Sequence, residues 1–575
     1  MATQSRSTRL VRFRSELDRY SIFAATAIFT LITAGWELGE ITIPAGLLVL
    51  ACYPLALLAI DQLYPQRVFG RELRGSAAWS ALVLIAFEAV PTLTASGQAA
   101  FALPVAIGVG ILVAKRPAEA TVAVAFISAV AGSFQAFIGF DPFPLVDVLM
   151  AGIWLTLLAR VVLGRPYQFV LWPAVIAAVT FALISVVNLA LSDNTAVAWI
   201  GFRTTVWYML GFIALAYVGW SRETYRRIAL GMVAMTALVA GYAVLRWVIG
   251  PAGPERVLAE TVNRINVDPV DKHLRTVGSF FTGHQLSFWA AFMAPFCVAV
   301  GLWLTGWKQV AALATAGVAV LAIIASEARG PLPGFVAGLA VVLLIYQAGR
   351  AFPGFKAGLV VAGALAVAGL TATAVIVADD DPEEFGRYAR IINPETEPTY
   401  IQRQLKWEQV TNAIDEHPFG HGIGAGGAGQ LLAGTEILTV STVNIDSTYL
   451  MIAFEQGVPV LVLFILASAG LMISLGIAAT RTASREAAAI GMGACGTLAS
   501  MLVSFYSALY IQALPVISGW LVVGVGLSYF VARDRSQRVG APPADRRVAS
   551  SDAVKSVSRD SIHLKPGPTG QGNRL

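Results

Sequence analysis

The chain has 575 residues, 57% of them hydrophobic and 13% charged, and its 40 Lys and Arg against 35 Asp and Glu give a formal net charge of +5. Soluble proteins carry about a quarter charged residues, so the composition excludes a soluble globular protein and indicates an integral membrane protein. The positive charges lie mostly in short connections between apolar runs, where they set orientation, so no nucleic-acid partner is expected. The three cysteines, Cys52, Cys297 and Cys495, lie within apolar segments and suggest packing, not a disulfide framework or metal cluster.

Apolar stretches of about 18 or more residues recur along the chain, each long enough to cross the roughly 30 Å hydrocarbon core as a helix. The first, from about Tyr20 to Trp36, runs into a second without a small-residue cleavage site, so it reads as a span and not as a removable leader. Basic residues mark alternate connections: "RSTRLVRFR" at the start, then Arg67, Arg71 and Arg74, Lys115 and Arg116, Arg160 and Arg165, Arg222, Arg226 and Arg227, Lys308, Arg350 and Lys356, Arg481 and Arg485, and Arg533, Arg535 and Arg538. Because Lys and Arg keep short loops inside, the expected fold class is all-α. It is a polytopic transmembrane helical bundle of roughly fourteen to sixteen spans, with both ends cytoplasmic and a large, partly helical outer loop. Residues 1–19 are expected to form a basic cytoplasmic N-terminus, 20–198 an N-terminal transmembrane bundle, and 199–378 a transmembrane core with arginine-bearing outer loops. Residues 379–446 then form a large extracytoplasmic loop, 447–535 the C-terminal transmembrane helices, and 536–575 a disordered cytoplasmic tail.

On the expected outer side, polar residues collect in several places. Arg203, in "AWIGFRTTVWYML", lies just inside the end of a span, where a charge needs a partner or a watery cavity or else snorkels to the interface. Arg275 precedes the Gly-Ser-Phe-Phe turn of "DKHLRTVGSFFTGHQLS", and "SEARGP" sets Ser326, Glu327 and Arg329 in a very short outer connection, against the inside bias of basic residues. The stretch "TYIQRQLKWEQVTNAIDEH" reads as a helix beside or on the membrane, with Tyr400, Arg403, Trp407, Val410 and Ile414 on one face. "HPFGHGIGAGGAG" contains His417 and His421 and a GxGxxG match, Gly422, Gly424 and Gly427. No βαβ unit surrounds it, so a dinucleotide site is rejected; what remains is a flexible loop or an anion-binding nest of backbone N–H groups. Finally, "NIDSTYLMIAFEQGVPV" puts Asp446, Ser447, Thr448 and Tyr449 ahead of an apolar run. Asp and Ser suit a helix N-cap, and Asp446 also suits a role in chemistry. Arginine holds phosphate with a planar fork of donors, so several arginines on the outer side suit a diphosphate carried on a lipid.

The ordered motifs "LRTVGSFFTGHQLSFWAAFMAPF", "IIASEARGPLPGFVAGLAVV", "RQLKWEQVTNAIDEHPFGHGIGAGG" and "DSTYLMIAFEQGVPVLVLF", over roughly residues 200–475, resemble the O-antigen ligase and polymerase family of bacterial membrane proteins. The resemblance implies a metal-independent glycosyltransferase without a cofactor. It would pass a glycan from a polyprenyl-diphosphate carrier to a hydroxyl of a glycan, lipid or other acceptor, at the outer face of the plasma membrane. It implies that Arg275 and Arg329, with Arg203 and Arg403 as weaker candidates, bind the diphosphate. The family's motif at the end of the large loop begins with histidine. Here Asp446 takes that place, while Ser447 and Gly457 keep the spacing and Val460 departs at the last position. Asp446 is therefore the candidate base or acceptor-orienting group, with His417 or His421 as alternative imidazoles and Gly422 and Gly424 as supporting residues.

Two other readings compete. A secondary transporter of a small solute or anion suits the number of spans, although no internal repeat is evident. Another lipid-linked transferase, using Glu37 and Glu40 at the end of the first span, has the weaker support because their spacing does not suggest a donor site.

Overall fold

The computed structural model describes residues 67–68, 71–72, 117–138, 146, 150, 153–154, 173–190, 192, 195–218, 220–262, 274–328, 330–352, 398–426, 445–506 and 515–540. The chain forms two units, Met1–Ala532 and Arg533–Leu575, and the described part of the second is the end of a helix at Gly540. Apart from a two-residue antiparallel ladder, Arg67–Val68 with Arg71–Glu72, the regular structure among the described residues is helical.

In chain order the helices are α1 (Pro117–Ala129), α2 (Ala131–Ile138), α3 (Pro173–Ala190), α4 (Thr195–Phe202), α5 (Tyr208–Val218), α6 (Arg222–Ile249), α7 (Gly253–Val262) and α8 (Gly283–Trp303). There follow α9 (Trp307–Ala325), α10 (Pro331–Ala348), α11 (Pro398–Glu416), α12 (Thr448–Gln456), α13 (Val458–Arg481), α14 (Arg485–Ser504) and α15 (Pro515–Gly540). A π-helical turn, Arg203–Trp207, joins α4 to α5 without leaving right-handed helical backbone.

Six of these, α6, α8, α9, α10, α13 and α14, are long and apolar enough to cross a membrane. The bent pair α1 and α2, angled by 61°, adds a seventh if it is one span. The remaining spans of the expected fourteen to sixteen fall largely on segments outside the described residues. Gly457, at φ 94°, ends the nine-residue α12 and starts α13, and α12 at about 1.5 Å per residue is too short to cross a bilayer.

The centre of the bundle is α8 and α14, whose apolar windows are 83% and 89% buried against 33–44% for the other four spans. Their contact follows from a proline. Pro295 lies inside α8 and has no N–H to give to the carbonyl four residues back. In a membrane that carbonyl needs another donor, and the Ser500 hydroxyl of α14 reaches Ala291 O at 2.8 Å, with Thr497 donating to Phe292 O at 2.9 Å one residue further. Small residues let the third helix approach: a Cβ on Gly338 of α10 would lie 2.6 Å from Gly496 O, as expected where helices associate through close backbone packing. Cys297 and Cys495 are buried free thiols in these helices.

Antiparallel connectivity sorts the connections into two ends. Arg222, Arg226 and Arg227, Lys308, Arg350, Arg481 and Arg485 fall at one end, where Arg350 N–H donates to Thr480 O at 3.1 Å and Arg222 pairs with Glu486 at 3.0 Å. The start of α8, the end of α9, the start of α10 and the end of α14 fall at the other.

Candidate functional site

The site end is built around the first turn of α8. Thr282 caps the helix by accepting from Gln285 N–H at 3.1 Å, and the Gln285 side chain accepts from Phe281 N–H at 3.3 Å, a reciprocal arrangement that fixes the entry angle of the chain. Gly283 is required for close approach. A Cβ there would meet Thr276 O at 3.0 Å, Ser326 O at 3.2 Å and the Arg275 side chain at 3.6 Å. Arg275 and the turn after α9 are thereby pressed together against the start of α8. In that turn Glu327 has φ 55°, an unusual strain for a residue with a side chain. Arg329, three residues after Ser326, lies outside the described residues.

Arg275 is buried, and it acts electrostatically on His284 in the first turn of α8. So does Arg403, from a different element. The helical face expected in the large loop is the docked face of α11: Val410 and Ile414 are buried, and Trp407 packs edge-on against Tyr506 at 5.2 Å. The arginine on that face reaches Asp446, with Arg403 Nε 3.7 Å from Asp446 Oδ2. That distance is an ion pair but too long for a hydrogen bond. Arg275, His284, Arg403 and Asp446 thus converge from four segments.

The polar run around Asp446 has a structural task as well. Thr448 N–H donates to Phe505 O at 2.9 Å, the Ser447 hydroxyl reaches the same carbonyl at 3.5 Å, and the Tyr449 hydroxyl donates to Leu502 O at 2.6 Å. Burial pushes the Tyr449 phenol up to about 12, which keeps it a neutral donor. Ser447 is the N-cap of α12 by position, yet its side chain makes no capping hydrogen bond. These residues tie α12 to the end of α14.

His417 and His421 lie elsewhere. His421 N–H donates to Phe454 O at 2.9 Å, its ring stacks on Phe454 at 4.2 Å, and His417 meets it edge-on at 4.7 Å. Asp446 precedes α12 by two residues whereas Phe454 lies in its last turn, so the histidines contact the opposite end of that helix from Asp446.

The glycine-rich loop does form an anion-binding nest, and its anion is internal. Gly424 and Gly426 donate backbone N–H groups to the Glu455 carboxylate, the latter at 2.9 Å to Oε1, and Gly422 N–H donates to Glu455 O at 2.9 Å. Burial pushes the Glu455 carboxyl up to about 7, against the pull of those two N–H groups. Glu455 was not among the sequence candidates, although an acid in an apolar run, "MIAFEQG", is a signal for one. Close contacts seat the loop: a Cβ on Gly424 would lie 2.3 Å from Val197 O, one on Gly420 2.6 Å from Glu455 O, and one on Gly201 2.4 Å from Gly424 Cα. Gly457 does the same from α12, against Phe419. Arg203 stands two residues beyond Gly201, opening the π-turn with its Nε and Nη2 shielded from solvent. It belongs to the surroundings of the loop.

Residues 311–465 match the family model described as O-antigen ligase. This segment is similar to the O-antigen ligase domain. No curated protein matches the chain. The O-antigen ligase match lies inside the region of resemblance and contains Arg403, His417, His421, the glycine loop, Asp446 and Ser447, while Arg203, Arg275 and His284 precede it. The match supports an O-antigen-ligase-like function in membrane glycan handling. Among the described residues no three His, Cys, Asp or Glu side chains gather as a metal site.

Proposed function

We propose that the protein is a membrane glycosyltransferase of cell-surface polysaccharide assembly, which transfers or polymerises a glycan from a polyprenyl-diphosphate carrier onto an acceptor hydroxyl at the outer face of the bacterial plasma membrane. The observation that carries this reading is the convergence of Arg275, Arg403 and Asp446 at one end of the bundle, two of them within the O-antigen ligase domain. Its orientation is supported by the basic connections at the opposite end, because short basic loops stay inside.

In the proposed reaction the donor lies with its lipid in the bilayer and its diphosphate at the level of the first turn of α8. Arg275 and Arg403, with Arg329 from the adjoining turn and Arg203 from the π-turn as further candidates, bind the diphosphate oxygens. The acceptor oxygen attacks the anomeric carbon, the bond from that carbon to the phosphate oxygen breaks, and the diphosphate leaves with the electron pair. Arginine forks stabilise the charge as it develops on the leaving group. Asp446, ion-paired to Arg403, orients the acceptor hydroxyl or takes its proton. No metal is needed for this, since the guanidinium groups supply the positive charge.

The test is mass spectrometry of polyprenyl-diphosphate-linked glycans from host strains with and without the gene. Completed lipid-linked units are expected to accumulate in the deletion strain. A surface glycan that becomes short identifies a polymerase, and one that stays unattached identifies a ligase. An unchanged lipid pool would overturn the reading.

A further inference from the structure

We propose that Tyr506, braced by Trp407, is a stacking platform for a sugar ring beside the Arg403–Asp446 pair, and so a subsite for the glycan substrate. The proposal deepens the transferase reading above and rests on it.

Three elements build the platform. Trp407 follows Arg403 by one turn of α11, and residues four apart on a helix are neighbours. Its ring meets Tyr506 edge-on, with centroids 5.2 Å apart and planes at 75°, a favoured geometry for an aromatic pair. From the other side, Tyr506 follows the buried Phe505, whose carbonyl accepts from Thr448 N–H at 2.9 Å, two residues after Asp446. The tyrosine is thus tied to Arg403 through Trp407 and to Asp446 through Phe505. Despite both ties it is 61% exposed.

A single exposed aromatic is ordinary by itself, and aromatic residues also line membrane interfaces. Position favours the glycan. The helix that leads to Tyr506, α14, is the most enclosed of the six candidate spans, with 89% of its apolar window buried, whereas a residue of the lipid belt belongs on a peripheral span. Tyr506 therefore stands at the mouth of the bundle, next to the ion pair.

The chemistry around it matches a sugar. A pyranose presents C–H groups on its faces, which stack on the negative face of an aromatic ring, and hydroxyls around its edge, which both donate and accept. Arg403 supplies donors and Asp446 acceptors, and each side chain is 35% exposed. Their 3.7 Å separation is too long for a direct hydrogen bond, so a hydroxyl has room to bridge them. A phosphate would need only the arginines, and a lipid tail would need neither charge.

The experiment measures transfer kinetics of the purified full-length protein. Lipid-linked glycan extracted from the deletion strain is the donor, and membranes of a strain that makes no donor supply any separate acceptor; each is varied in turn. Tyr506→Ala is expected to raise KM about tenfold for one of them, with kcat within about threefold and an unchanged melting temperature in detergent. A rise for the lipid-linked glycan places the stacked ring on that chain, and a rise for the separate acceptor places it there. Tyr506→Phe, which keeps the ring, is expected to retain the wild-type KM, and Tyr506→Leu, which keeps only apolar bulk, is expected to behave like Tyr506→Ala. A wild-type KM in both the Phe and the Leu variant would show mere apolar contact, with protein or bilayer, and overturn the proposal. An unmoved KM in all three variants, beside an inactive Arg275→Ala, would overturn it while leaving the transferase reading intact. Absence of transfer by the wild-type protein would overturn both.

Discussion

Arginine occurs at both ends of the bundle in different settings. At the basic end Arg222 is 73% exposed and pairs with Glu486 at 3.0 Å, and Arg227 is 61% exposed and pairs with Glu223 at 3.2 Å. At the site end Arg275 is 9% exposed, and Arg403 lies on the docked face of α11 with Asp446 at 3.7 Å. Exposed pairs contribute about 0–1 kcal/mol, and under the proposed topology the basic residues serve to hold this end inside. The buried Arg275 guanidinium costs desolvation, whereas Arg403 is 35% exposed and pays less. The difference teaches that the two ends hold their arginines in different surroundings, in water with a carboxylate at one end and partly or wholly within the packed protein at the other.

The comparison can be tested by substitution, starting with the greatest effect. Arg275→Ala is expected to reduce transfer by about a hundredfold or more while membrane insertion, followed by protease protection of the connections, is unchanged. Arg403→Ala is expected to cost about tenfold or more, and Asp446→Asn should match it only if the carboxylate takes part in proton transfer. Gly424→Ala, at φ 87° and 2.3 Å from Val197 O, is expected to destabilise the loop by about 1–3 kcal/mol, read as a lower melting temperature in detergent. Arg222→Ala should change transfer by less than about twofold, and its effect is sought instead in topology reporters placed at either end of α6.

A pH experiment sharpens the same contrast at the loop. The Glu455 carboxyl titrates near 7 in the folded protein against an ordinary 4.5, so between those values the folded state holds a proton that the unfolded state has lost. Stability of the loop docking is therefore greatest below about pH 4.5, declines as pH rises, and levels off above about 7. Amide exchange at Gly422–Gly426, corrected for its intrinsic pH dependence, is expected to speed up relative to that baseline across this window in the wild type and to stay flat in Glu455→Gln.

Much of this was legible in the sequence, and the failures have physical reasons. Hydropathy and basic loops gave helical membrane segments in the right order, because both signals are local. The face of α11 was legible too: an arginine among Trp407, Val410 and Ile414 pointed to a partner, and the partner is Asp446. His284 was not singled out, since a lone histidine carries no signal until tertiary packing brings Arg275 and Arg403 to it. The glycine loop reads as either a flexible loop or an anion-binding nest, and its partner is not legible because Glu455 is about 30 residues later and on another element. Ser447 reads as a cap residue, whereas it and Tyr449 bond to carbonyls at the end of α14, which only the fold brings near.

The π-turn at Arg203–Trp207 has a consequence of a different kind. A π-turn widens the helix by one residue, so everything after it is rotated by about 100° relative to an uninterrupted α-helix. Before the turn Gly201 meets the glycine loop; after it Phe212 stacks on Trp520 at 5.2 Å. Both contacts therefore depend on the number of residues between them as well as on their identities. Deletion of a single residue here, even Thr204 alone, would close the helix into regular α geometry and swing one contact out of register, whereas many point substitutions would leave both in place. Among related sequences this segment should tolerate changes of letter far better than changes of length.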